Sequence, residues 1–276
     1  MMNDPHVVAL IYSVEHGKSV DYEEASPLIY DDDPRFQLTV EDNGARFELK
    51  EHYADVGAAR DALGPFIQHW EFETAMRVGP GNFELGFKEA EIEDRNPSPP
   101  EPRKEGFGAS AVPYELNVGG SFVFSGVTFT ASGGVVLVSP RYPPPPAGGA
   151  VKPNDPDVKS MYDRYVNYCS GGEFLPGMAY FCLTMLEYRF QGKKGTKARD
   201  EAAAKNRIHE DVLDKIGHLS AMGGPIGRKG GTVSLTEQEK GWLRESVKKI
   251  IYRAAQVAAD DSQRLPQITM ADLPKF

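Results

Sequence analysis

The chain has 276 residues, 40% hydrophobic and 26% charged, a composition that suits a globular protein with room for two cores of ordinary size. Its formal net charge of -9 is unevenly placed: residues 1–150 hold 11 basic against 24 acidic residues, net -13, and residues 151–276 hold 20 against 16, net +4. Two cysteines in the whole chain exclude a disulfide framework, and the longest near-continuous apolar stretch, Met178 to Leu186, falls far short of the ~20 residues that span a bilayer.

The amino terminus predicts a cytoplasmic protein with no membrane anchor. Its apolar run, Val7 to Tyr12, is short and follows an aspartate rather than a basic segment, so no secretion signal is expected. His6 to Val14 reads as a buried strand, followed by the turn-prone His16-Gly17-Lys18-Ser19. Phe36, Leu38 and Val40 alternate with polar neighbours, as do Phe47 and Leu49, which predicts a hairpin with its turn at Asn43-Gly44. The period then changes. Val56, Ala59, Leu63, Phe66, Ile67 and Trp70 share one helical face, and Pro65 should kink or split that helix.

Phe83, Leu85 and Phe87 alternate again, with Ala90 and Ile92 in the opposite phase, which places a bulge near Lys88-Glu89. Asn96-Pro-Ser-Pro-Pro closes the segment, and further strands are expected at 111–118, 121–130 and 135–139. Residues 1–139 thus predict a strand-rich α+β domain with one helix. Residues 140–156, rich in proline, read as a linker stiffened by Pro143 to Pro146.

The candidate sites of the acidic half have ordinary explanations. Asp31-Asp32-Asp33 lacks calcium-loop spacing and reads as a solvated loop. Glu89, Glu91, Glu93 and Asp94 alternate as an exposed sheet face does. His16, His52 and His69 have no spacing that would gather them as ligands, and Trp70 with Phe72 reads as core.

Residues 157–276 predict a four-helix bundle. Val158, Met161, Tyr162, Tyr165 and Cys169 mark a first helix ending at Gly171-Gly172, and the nearly apolar 174–190 should be the central helix. Ile208, Val212, Ile216 and Leu219 form the stripe of one long third helix over 197–222. Overlapping capping boxes, Ser234 to Glu237 and Thr236 to Glu239, start the last. Tyr162, Tyr165, Tyr168, Tyr180 and Trp242 read as packing, and Cys169 and Cys182 as buried thiols.

The aromatic helix MYDRYVNY, the apolar helix MAYFCLTMLE and the Gly-rich basic loop GGPIGRKGG before LTEQEKGWLRESVKKIIYRA resemble the carboxy-terminal portion of ApeA-like proteins of the HEPN superfamily, over about 115 residues. The resemblance implies RNA cleavage by a paired Arg and His, spaced R-x4-6-H on a helix, with imidazole moving protons and guanidinium holding phosphate. That pair is missing from the predicted bundle. The one match, Arg46 to His52, falls in the predicted strand of the other domain and reads as chance.

Two functional readings follow. The first is a non-catalytic two-domain protein, its strand-rich domain a recognition module and its HEPN-like bundle a contact for RNA or for oligomerisation. Lys193, Lys194, Lys197, Arg199, Arg228 and Lys229, together with Lys248, Lys249 and Arg253, are its candidate RNA-binding surface, and the acidic half competes for that surface. The second is a divergent RNase using Arg207, His209 and His218; a scaffolding role with a protein partner or a homo-oligomer stands beside both. No metal, organic cofactor or nucleotide cofactor is expected, since GGPIGRKGGT lacks phosphate-loop spacing.

Overall fold

The computed structural model describes residues 4–17, 20–96, 128–129, 135–146, 150–188, 196–222, 234–259 and 265–275. The fold is α+β. It divides into two compact units, Met1–Pro65 with Gly81–Pro145, and Phe66–Pro80 with Pro146–Phe276.

The first unit is built on a five-stranded antiparallel sheet, in the order β3-β4-β5-β1-β6. Its strands are β1 (Pro5–Glu15), β3 (Leu28–Tyr30), β4 (Phe36–Glu41), β5 (Gly44–Leu49) and β6 (Glu84–Asp94). Alternation sets the buried face: Leu10, Tyr12, Phe36, Leu38, Val40, Ala45 and Phe47 are all buried. A small second sheet joins β2 (Val20–Asp21), β7 (Thr128–Phe129) and β8 (Val135–Val138). The expected strand over 111–118 and most of 121–130 lie outside the described residues.

The hairpin is where alternation put it, but its turn is one residue earlier than Asn-Gly. Asp42 and Asn43 take the left-handed backbone, φ 49° and 56°, and Gly44 already pairs with Glu41. A two-residue turn of this hand follows the strand twist, and Asp and Asn tolerate it nearly as glycine does. The phase change in β6 is a bulge at Lys88, which has no opposite number between the pairs Ile11 to Glu89 and Tyr12 to Phe87. A second irregularity, at Val8 in β1, had no counterpart in the pattern of the sequence.

Helix α1 (Val56–Val78) is capped by the Asp55 carboxylate, which accepts from the Ala58 amide at 2.8 Å. It is not split by Pro65, which lies inside it. The proline instead marks the division between units: residues up to Pro65 group with the sheet and residues from Phe66 group with the carboxy-terminal helices. Part of the proline-rich stretch also packs with the first unit. Tyr142 is 3% exposed, stacks on Tyr22 and accepts a hydrogen bond from the Asn43 amide through its hydroxyl.

In the second unit α2 (Pro156–Cys169) starts at an Asp155 cap with proline in its first turn. The others are α3 (Leu175–Tyr188), α4 (Thr196–Lys205), α5 (Glu210–Met222) and α6 (Glu237–Ala259). As its apolar composition demands, α3 packs against α2, α4, α5 and α6. Thr236 and Glu239 exchange the reciprocal bonds of a capping box at the start of α6. Cys182 is buried as expected, and burial pushes its thiol up, but Cys169 is exposed at the last residue of α2.

The long third helix is two helices. Asn206 to His209 form an elbow in which Arg207 has φ 51°, the Arg207 amide donates to Ala204 and the Ile208 amide donates to Ala203. This is the hydrogen-bond pattern of a Schellman stop, with arginine where glycine is usual. Ile208, buried, then pairs with Ile268 beyond α6, with the Ile268 amide bonded to Arg207 and the His209 amide to Ile268. Arg253 of α6 donates through Nη1 to the carbonyls of Asn206 and Arg207 at 3.1 and 3.0 Å. A helix end and its elbow are thus fixed from across the bundle. Because a side chain in the left-handed region costs about 1–3 kcal/mol, we expect Arg207→Gly to raise the unfolding free energy by roughly 1 kcal/mol. A urea midpoint that falls in the glycine variant contradicts this account of the elbow.

Candidate functional site

A face of α6 presents Glu245, Lys248, Lys249, Tyr252, Arg253 and Gln256, spaced by three and four residues as one helical face requires. Glu73, Met76 and Arg77 from the Phe66–Pro80 part of α1 and Ile268 from the segment after α6 complete an open cleft of about 580 Å³ within the second unit. It holds four cationic side chains and two carboxylates.

Glu73 organises the α1 wall. Arg77, one turn on, forms an ion pair with it; His69, one turn back and 7% exposed, places Nε2 3.4 Å from Glu73 Oε2. The Tyr252 hydroxyl donates to the same oxygen at 3.4 Å and lies 3.3 Å from His69 Nε2. Phe72 stacks on the Tyr252 ring, with centroids 6.0 Å apart, and orients it. The hydrogen bond from His69, with further help from Arg77, pulls the Glu73 carboxyl down to about 2, against the opposing effect of burial. Burial first, and the Glu73 charge second, push the Tyr252 phenol up to about 12. At neutral pH the pair is therefore a carboxylate and an un-ionised phenol.

The remaining cations have defined partners. Lys248 bonds both Glu245 oxygens at 2.9 and 3.1 Å, and Lys249 donates to the Asp272 carbonyl. The Asp272 carboxylate instead caps Thr269. Arg253 adds a bond from Nε to Gln256 at 3.1 Å, and burial, then the nearby Arg207 charge, lower its pKa. It stays charged, as a guanidinium does in proteins. The cleft thus carries an excess of positive charge, and Glu73, His69 and Tyr252 are bonded to one another.

The other described candidate residues are elsewhere. Lys193, Lys194, Arg228 and Lys229 lie outside the described residues. Lys197 is exposed on α4, but Arg199 is half-buried and clamps α3 to α5, bonding Glu187 at 2.8 Å and Asp214 at 2.9 Å. A Cβ at Gly217 would lie 3.1 Å from its Nη1, so glycine leaves room for the clamp. Arg207 and His209 sit in the elbow, where Arg207 Nε donates to Leu265 at 3.4 Å and His209 faces Asp211 at 3.3 Å. His218 is exposed on α5, and among the described residues no hydrogen bond or ion pair joins these three.

In the first unit Arg46 engages Glu91 through both terminal nitrogens and Glu48 through Nε, while His52 stacks on His6, with their Nδ1 atoms 3.2 Å apart. Arg46 and His52 therefore have separate partners. Burial, then Arg95 and His52, hold the His6 imidazole below its ordinary value. Asp33 bonds Arg35 at 2.7 Å and Asp31 bonds Lys50 at 2.6 Å, which fixes the acidic loop by ion pairs. The sequence signal for the cleft was present but unread: His69, Glu73 and Arg77 recur at four-residue steps, a polar ridge on a helix otherwise read for its apolar face.

No protein-family model matches the chain, and neither a curated protein nor a solved structure does. Among the described residues no helix is long and apolar enough to cross a membrane.

The Glu73 carboxyl titrates near 2 in the folded protein against an ordinary value of 4.5, so the stability it contributes is complete above about 4.5 and is lost as pH falls toward about 2. We expect Glu73→Gln to lower the unfolding free energy at pH 7 by roughly 1–2 kcal/mol, a figure discounted for partial exposure. The difference from the unsubstituted chain should close as pH falls through that window. Urea titrations at pH 7, 4 and 3 measure it, and a gap that does not change with pH contradicts the network.

Proposed function

We propose that the chain is a non-catalytic RNA-binding protein whose second unit, a HEPN-like bundle lacking the paired Arg and His of that superfamily, holds RNA phosphates in the cleft lined by α1 and α6. The convergence of Arg77, Lys248, Lys249 and Arg253 on one cleft carries this reading. Guanidinium and ammonium groups are the phosphate donors that proteins use, and burial of some of them strengthens each contact. Tyr252 adds an aromatic wall.

Two observations favour binding over cleavage. Arg207, His209 and His218 have no contact in common, whereas general acid-base work needs mutual geometry. His69, behind the cleft wall, is 7% exposed and turns Nε2 to Glu73 and Tyr252 rather than into the cleft. The proposed phosphate surface keeps Lys248, Lys249 and Arg253 from the set expected from the sequence and adds Arg77.

An electrophoretic shift of short single-stranded RNA by the full chain, at several salt concentrations, tests the proposal. Arg77→Ala, Lys248→Ala and Lys249→Ala should each weaken binding and reduce the slope of log K against log salt by about one phosphate's worth, roughly 0.7. Lys197→Ala should leave both nearly unchanged. Absence of RNA binding, or binding indifferent to all three cleft substitutions, overturns it.

A further inference from the structure

The cleft's cations differ in depth. Arg253 is 5% exposed and the Lys248 side chain 15%, whereas the Arg77 side chain is 46% exposed. An internal phosphodiester, flanked by sugars on both sides, meets an exposed group such as Arg77 more readily than one as shielded as Arg253. A chain end is less restricted. Charge points the same way: four cations against Glu73 and Glu245 leave the lining with a net +2. A phosphate monoester carries about -1.5 to -2 at pH 7, and a diester only a single negative charge. The volume of about 580 Å³ falls within the range of small-molecule sites, and Met76, Ile268 and Tyr252 supply apolar wall for a sugar or base.

On the RNA-binding reading, we infer that the cleft is a site for a terminal phosphate monoester, the phosphorylated end of an RNA or a free mononucleotide. Lys248 and Arg253 are the inner donors and Arg77 and Lys249 the outer ones. Arg253 already gives Nη1 to two carbonyls and Nε to Gln256, which leaves Nη2 as the nitrogen assigned to the ligand. Glu245 is an internal competitor: its carboxylate holds the Lys248 ammonium in both its bonds, and an entering phosphate replaces it. Binding therefore exchanges one ion pair for another. No bond is made or broken in the ligand.

The experiment is fluorescence-anisotropy titration of the full chain with one short RNA prepared in three forms: 5′-phosphorylated, 3′-phosphorylated and hydroxyl at both ends. Adenosine monophosphate and inorganic phosphate serve as competitors. We expect one phosphorylated form to bind ~10-fold tighter than the hydroxyl form, through added charge-assisted bonds, and the mononucleotide to displace it. Lys248→Ala should erase that preference, and Glu245→Gln, which keeps the size of the side chain, should enlarge it ~3-fold by removing the competitor. If all three RNAs bind equally, the terminal-phosphate inference fails while RNA binding stands. If the mononucleotide alone binds, the monoester assignment stands and the RNA reading fails. If nothing binds, both fall.

Discussion

The second unit depends on the buried guanidinium of Arg253. A cation with so little access to water is tolerable only where fixed dipoles replace its hydration, and the carbonyls of Asn206 and Arg207 do so where α4 ends and its own amides no longer supply donors. The interaction works in both directions. It neutralises the carbonyl end of α4, and it holds Arg207 in a backbone conformation that arginine otherwise avoids. From that elbow α5 departs on a new course, and Ile268 is stitched alongside Ile208. The same side chain is a wall of the cleft, so the group that closes the fold also lines the proposed phosphate site.

The cleft shows how a helical unit can keep several cations close together without a ligand. Each positive group has a local counterpart: Arg77 has Glu73, Lys248 has Glu245, Lys249 has the Asp272 carbonyl and Arg253 has two carbonyls and Gln256. Glu73 is held ionised by His69 and Arg77, which makes it a fixed charge rather than a proton carrier. In the proposed role an anion would enter by exchange of these partners. Glu73, His69 and Tyr252 are engaged with one another, and the proposed role is binding for that reason.

Much of the fold could be read from residue spacing because the signals are local. The alternation of Phe36, Leu38 and Val40 against Phe47 and Leu49 placed a hairpin, the phase reversal after Phe87 placed a bulge at Lys88, and the apolar run in α3 placed the central helix. The elbow was invisible because its stop signal is arginine rather than glycine, held in place by Arg253 from 46 residues away. Asp42 displaced the expected turn residue Gly44 because both Asp and Asn accept positive φ, which leaves two adjacent turn positions open to the sequence. The cleft was half legible: the α6 cations were noted, but Glu73 and Arg77 lie on a helix whose apolar face dominated its reading. Only the fold brings Glu73 to Tyr252, 179 residues apart in the chain.

The central claim, that the α1–α6 cleft of the second unit receives RNA phosphate, is tested most directly by NMR titration of the isotopically labelled full chain with short single-stranded RNA. Side-chain resonances of arginine and lysine report each contact separately. The account predicts that signals of Arg77, Lys248, Lys249 and Arg253 move together and saturate at one equivalent, with the Tyr252 ring following. Movement confined to Lys197 and the rest of α4, or to the strand-rich unit, would contradict it.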